Sequence, residues 1–288
     1  MSSLDARDAA DALHRTYQRS GGRDGFVSLG VSPLLADDTP GTVAEARRLW
    51  RALDRPNAMI AVPATQRGLP ALRLLLGEGI NVNATLIFGV TRYREVLDAF
   101  AAGLEDRKCT GNSIDRIASV ASLFVSPIDT LVDEKLVAVH DTDRPERART
   151  LLGKAGTEVA RFAYQDFKKF ISSPRWGALA ASGARPQRLL WASTGMENPV
   201  YSDVKYIDEL IGRDTVTTLS LGTLAAYREH GRPAPRLEDH LNEVAMLPSD
   251  LLTVGIDLEQ TSQQLETQAV KNLSENFKSL MTEIAALR

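Results

Sequence analysis

The chain is 288 residues long and 43% hydrophobic, enough apolar material for one large domain with a real core. A formal net charge of −3 offers no basic field for nucleic acid and no polybasic run for an anionic lipid surface. The single cysteine, Cys109, excludes an internal disulfide framework, and neither the charged opening MSSLDARDAADALHR nor any apolar run reads as a signal peptide or membrane span, so a cytoplasmic protein is expected.

Leu4 to Tyr17 has helical spacing of its apolar residues and ends at Ser20-Gly21-Gly22. Phe26 to Val31 is a compact strand candidate with Pro33 at its exit. Thr39 and Pro40 offer a cap and a first-turn proline for a helix from Gly41 to Leu53, with Val43, Ala46, Leu49 and Leu53 on one face. Next come an apolar run (Ala58 to Val62), an amphipathic helix (Gly68 to Leu76) and a second apolar run (Ile80 to Phe88). Short apolar strands joined by a helix predict parallel pairing. A helix from Arg92 to Leu104 leads into the polar run EDRKCTGNSID, which reads as a connection, and then a strand, Arg116 to Val125.

The acidic group Asp129, Asp133 and Glu134 reads as a solvated loop or helix start. Ala155 to Ile171 is a long helix with a possible cap at Thr157 and with Phe162, Phe167 and Phe170 along it. Gln187 to Thr194 and Thr215 to Leu219 are strands, separated by a helix from Val204 to Ile211. Thr223 to His230 is helical, Gly231 to Pro235 breaks the chain, and Ser262 to Leu287 is a long amphipathic helix. Six strand–helix units in strict alternation predict a parallel α/β architecture, either a barrel or an open wound sheet, which periodicity alone does not separate.

No GxGxxG or GxxxxGK[ST] opens any helix, so no nucleotide cofactor is expected. His14, His140, His230 and His240 fall outside the predicted strand ends, and no His/Asp/Glu set has ligand spacing, so no metal is expected either. Cys109 has no CxxC partner and reads as incidental in its polar loop. Ser202 and Asp203 read as capping residues at a helix opening.

Met59-Ile60-Ala61-Val62-Pro63-Ala64-Thr65, Gly79-Ile80-Asn81-Val82-Asn83-Ala84-Thr85-Leu86, and the long segments from Ser119 to Leu136 and Leu151 to Gly212 resemble the bacterial transaldolase family almost from end to end. That resemblance implies a (β/α)₈ barrel, and a lysine imine that passes a dihydroxyacetone unit from a ketose phosphate to an aldose phosphate. Two departures modify the implication. The family's first two strand units have no counterpart, which predicts an incomplete barrel of six units with a long C-terminal helix, residues 1–288 forming one domain. The second departure lies at the strand ends. Ala61 stands at the family's imine-lysine position, Gly30 at its proton-relaying glutamate, Pro127 at a phosphate-holding arginine and Glu197 at a second basic residue of the phosphate site. A methyl group forms no imine, and exchanging two cations for an anion makes a phosphate pocket repulsive.

Asn83 and Thr85 match family positions that hold substrate hydroxyls, and strand alternation points both inward; they are either a retained site for a small polar ligand or core polar residues satisfying each other. Ser122 and Phe124 match pocket-lining positions, Phe124 more as packing than as recognition. Arg67, in the loop after the Ala61 strand, either supplies new anion affinity or is simply solvated. None of the eight lysines lies on a predicted strand; Lys205, near the mouth, reads as a helix-start residue. An incomplete barrel leaves open edges at the Phe26 and Thr215 strands, to be covered by a second copy, a protein partner or the C-terminal helix. Three functions follow: a non-catalytic, assisting member of the family; a barrel enzyme doing lysine-independent chemistry on a small polyol or carbonyl compound; or a residual transaldolase.

Overall fold

Six short parallel strands form one sheet in the order in which the chain supplies them. The computed structural model describes residues 2–139, 145–196, 198–239 and 241–286. The first half runs α1 (Ser3–Arg19), β1 (Val27–Gly30), a 3₁₀ turn (Pro33–Leu35), α2 (Thr39–Leu53), β2 (Ala58–Pro63), α3 (Gly68–Glu78), β3 (Val82–Ile87), α4 (Val90–Cys109) and β4 (Ser119–Phe124). The second half runs α5 (Ser126–Val139), α6 (Pro145–Leu151), α7 (Ala155–Ile171), α8 (Pro174–Ala180), β5 (Arg188–Ala192), α9 (Lys205–Glu209), β6 (Thr215–Thr217), α10 (Leu221–His230), α11 (Leu241–Thr253) and α12 (Leu258–Ala286).

Alternation sorts the strand residues onto two faces. Ile60, Val62, Val82, Ala84, Ala121, Leu123, Leu189 and Trp191 belong to the main core shared with the helices, where Trp191 is fully buried and donates to the Leu210 carbonyl at 3.0 Å. The other face carries a smaller apolar cluster of Met59, Ala118 and Val120, with Phe26 and Leu190 against it. That face is concave. One cavity is lined by Ser28 of β1, Met59 of β2, Asn83 of β3, Ser122 of β4, Leu190 of β5 and Val216 of β6, so the sheet curls around it. Ion pairs of Arg23 with Asp214 (2.6 Å) and Arg188 with Asp24 (3.0 Å) draw the segment before β1 against the starts of β5 and β6. Among the described residues β1 and β6 are the two sheet edges.

Buried amides fasten the strand entrances. Asn57 donates to the carbonyls of Ala10 and Gly25, Asn81 donates to those of Pro56 and Ala58 and accepts from the Ala118 amide, and Gln187 donates to Ser119. Satisfying backbone groups that the sheet leaves over is what such interior amides contribute.

The strand–helix alternation expected from the sequence is present, with several corrections. The polar run after Leu104 is helical as far as Cys109, because Ala101, Gly103 and Leu104 are buried and basic Arg107 and Lys108 suit the last turn of α4. Cys109 is thus an exposed residue at a helix end rather than in a loop. Asp38, not Thr39, caps α2, accepting from the Gly41 amide at 3.0 Å. Thr157 lies inside α7 and does not cap it. Helices α6, α8 and α11 were not anticipated; α11 contains Pro248, a residue that ordinarily argues against a helix interior. The acidic group after Pro127 is part of α5, with Asp129 and Asp133 buried rather than solvated.

Candidate functional site

The register sets Gly30, Ala61 and Asn83 side by side on β1, β2 and β3, with Val120 of β4 beyond them. Ser122 donates its hydroxyl to the Asn83 side-chain oxygen at 2.7 Å, and the Asn83 amide donates to Ser28 at 3.2 Å. Three strands therefore contribute one polar chain across the interior cavity, which measures about 510 Å³. Asn83 and Thr85 do face the same cavity, but they do not satisfy each other: the partners of Asn83 are the two serines. Ser28 was missed from sequence, although it stands two residues before Gly30 and so shares its face.

A second cavity, about 490 Å³, sits at the C-terminal strand ends. Gly30, Ala61 and Pro127, all singled out from the sequence, line it, and Thr85 and Phe124 line both cavities. Phe124 leans on Phe88 with ring centroids 5.4 Å apart, so it does serve packing as well. Between Ala84 and Ile87 the β3–β4 register shifts, and Leu86 adopts φ +61 in the cavity wall. A left-handed residue without glycine's freedom costs about 1 kcal/mol or more, and bulges of this kind re-aim side chains beside sites. Among the described residues that line this mouth cavity, none is charged. Arg67 is exposed outside it, at the start of α3. Glu197, like His140 and His240, lies outside the described residues. Its neighbours Gly195 and Met196, with Ser126, Ser193 and Thr223, line a separate cavity of about 400 Å³ at the ends of β4, β5 and β6.

Helix α12 forms the outer wall of the mouth cavity through Leu265, Ala269 and Leu273, with the amides Gln268, Asn272 and Asn276 beside them. Its attachments are polar. Ser262 donates to the Phe88 carbonyl at 3.0 Å, Lys135 of α5 donates to Thr261 at 2.9 Å, and Glu266 pairs with Arg92 at 2.9 Å. A side chain at position 89 would meet Ser262 Oγ at 2.7 Å, which explains Gly89. Burial holds the Glu266 carboxyl above its ordinary range, outweighing the opposing pull of Arg92. The helix thus covers the mouth, packing on α5, the 3₁₀ turn and the end of β3.

The buried acids of α5 organise the far side of the mouth. Asp129 accepts from the Gly156 amide at the start of α7 (2.7 Å), from Tyr206 (2.8 Å) and from Lys205 (2.8 Å). Asp133 accepts from the Gly153 amide (2.8 Å) and Tyr201 (2.7 Å), and burial raises its carboxyl above the usual range. Burial, aided by these carboxylates, also pushes the phenols of Tyr201 and Tyr206 well up. Lys205 is the first residue of α9, as expected, but it is clamped by Asp129 and the Gly153 carbonyl and stacked over both tyrosine rings. It lines neither barrel cavity, and no other lysine does. No group of three or more metal-ligating side chains occurs among the described residues, and none of their helices is long and apolar enough to cross a membrane.

Comparison with known proteins accounts for the barrel. The family model described as transaldolase/fructose-6-phosphate aldolase matches residues 1–284. The transaldolase of Thiobacillus denitrificans is 44% identical over 280 residues, covering 97% of this chain and 77% of the relative. Those of Saccharopolyspora erythraea (44% over 285 residues) and Frankia alni (43% over 286 residues) each cover 99% of this chain and 76% of their own length. Likeness of that extent, over a parallel six-stranded α/β barrel with a long C-terminal helix, leaves one conclusion: the chain belongs to the transaldolase/fructose-6-phosphate aldolase family.

Proposed function

We propose that this family member works by binding and not by imine chemistry, as a non-catalytic or assisting protein built on an inherited barrel. One observation carries the reading: Ala61 takes the imine-lysine position given by the resemblance, beside Asn83, and no lysine lines either barrel cavity. An imine needs an amine within reach of a carbonyl carbon, and a methyl group has no lone pair to offer. Gly30 and Pro127, lining the same cavity, stand where the resemblance puts a proton-relaying glutamate and a phosphate-holding arginine.

The test is a coupled assay of three-carbon transfer from fructose 6-phosphate to erythrose 4-phosphate with purified full-length protein. No turnover above the background of a mock purification is expected; saturable turnover removes the reading. The comparisons favour one alternative, a working transaldolase, since the relatives carrying that name are 43–44% identical over nearly the whole chain. The same assay decides between the two. The polar chain Ser28–Asn83–Ser122 supports a third possibility, lysine-independent handling of a small polyol; it calls for a titratable group in the cavity, where Asp24 and Arg188 instead pair with each other.

Association with a second copy belongs to the same reading. The open edges at β1 and β6 and the exposed side chains of Leu273, Leu280, Met281 and Ile284 on α12 supply surfaces for it.

A further inference from the structure

We infer that the mouth cavity is a binding site for a small, uncharged, mainly apolar molecule, a ligand class different from a sugar phosphate. The inference rests on the non-catalytic reading and extends it. A volume of about 490 Å³ is that of a ligand site, and such sites combine apolar walls with a few placed polar groups. Here the walls are Ala61, Leu86, Phe88, Phe124 and Leu265, and the polar groups are amides of α12 and the Thr85 hydroxyl. Charge selects the ligand class. No charged residue is among those described along the cavity, and two cations of the elements around it are engaged elsewhere, Arg92 with Glu266 and Glu95, and Lys135 with Thr261. A phosphate dianion entering would lose its hydration and gain no cation, a cost of several kcal/mol or more for an unpaired ion. A hydrocarbon or aromatic body gains contact with the Phe88–Phe124 pair at no such cost. The amides Gln268 and Asn272, one helical turn apart on α12, then suit one or two hydroxyl or carbonyl groups on the ligand.

The probe is N-phenyl-1-naphthylamine, a neutral apolar fluorophore, titrated into the full chain. Expected is a saturable one-to-one fluorescence rise that 1-decanol displaces and millimolar fructose 6-phosphate does not. Filling the cavity from α12 with Ala269→Trp, or from β2 with Ala61→Leu, is expected to weaken binding by about tenfold or more. Either variant serves if the other fails to keep the wild-type circular dichroism. Leu280→Ser, on the exposed outer part of α12, is expected to leave binding unchanged. No saturable rise with the wild type, displacement by fructose 6-phosphate, or a loss in Leu280→Ser equal to that in the filling variants overturns the assignment. Loss of the probe signal without sugar-phosphate turnover defeats the ligand class alone, whereas turnover defeats the non-catalytic reading itself.

Discussion

At the scale of single residues, what counts is which groups are already spoken for. Lys205 reads from sequence as a lysine near the mouth, yet its ammonium completes the shell of a buried Asp129. Replacing it by Lys205→Met leaves that carboxylate without a cation, and removing one partner of a buried pair costs about 3–5 kcal/mol. A fall in chemical-denaturation stability of that order is expected, with no gain or loss of sugar-phosphate chemistry. Ala61 gives the complementary experiment. It borders a cavity, so Ala61→Lys has room for its side chain. The variant is expected to give a borohydride-stable adduct with dihydroxyacetone, an uncharged ketone that the cavity admits, which the wild type lacks, detected by intact mass, while sugar-phosphate turnover stays absent because Gly30 and Pro127 are unchanged. Much of this was legible in sequence: strand alternation placed Asn83 and Thr85 on one face, the resemblance added Ser122 and Phe124 as pocket-lining, and all four line one cavity. The Asp129–Lys205 pair was not, since 76 residues separate its members and an acidic run gives no sign of its burial.

At the scale of elements, α12 converts a strand-end opening into a walled cavity. Its docking carries a pH signature. Glu266 has a folded-state pKa above its unfolded value, so the folded protein holds more protons through that window and stability falls as pH rises across it. The contribution is whole below the ordinary glutamate range, falls from there to the raised value, and is gone above it. Glu266→Gln is therefore expected to flatten the melting temperature against pH from the ordinary glutamate range upward, relative to wild type. An unchanged slope would assign the dependence to other groups, of which Asp133, also raised by burial, is the first to examine. Periodicity found α12 because its apolar residues recur along the helix; its start came out four residues late, at Ser262 instead of Leu258, since the first turn is polar on the sequence and buried only by contact. Helices α6 and α8 escaped for a different reason: with seven residues each, they are too short for a periodic pattern to stand out.

At the scale of the whole molecule, six parallel units curl around an interior that is part apolar and part polar. Sequence order alone left a barrel and an open wound sheet equally possible. What decides is the curl, visible in ion pairs such as Arg23–Asp214 that join segments 191 residues apart and that no local pattern announces. We propose that the chain unfolds as one domain, giving a single calorimetric transition whose calorimetric and van't Hoff enthalpies agree. Light scattering after size exclusion is expected to return a dimer; a monomer at all concentrations would mean that the edges at β1 and β6 need no second copy.

The central claim concerns the barrel's chemistry, and borohydride reduction in the presence of fructose 6-phosphate, followed by peptide mass spectrometry, tests it most directly. The account predicts wild-type protein of unaltered mass, with every lysine peptide unmodified. A reduced three-carbon adduct on any one of the eight lysines would contradict it.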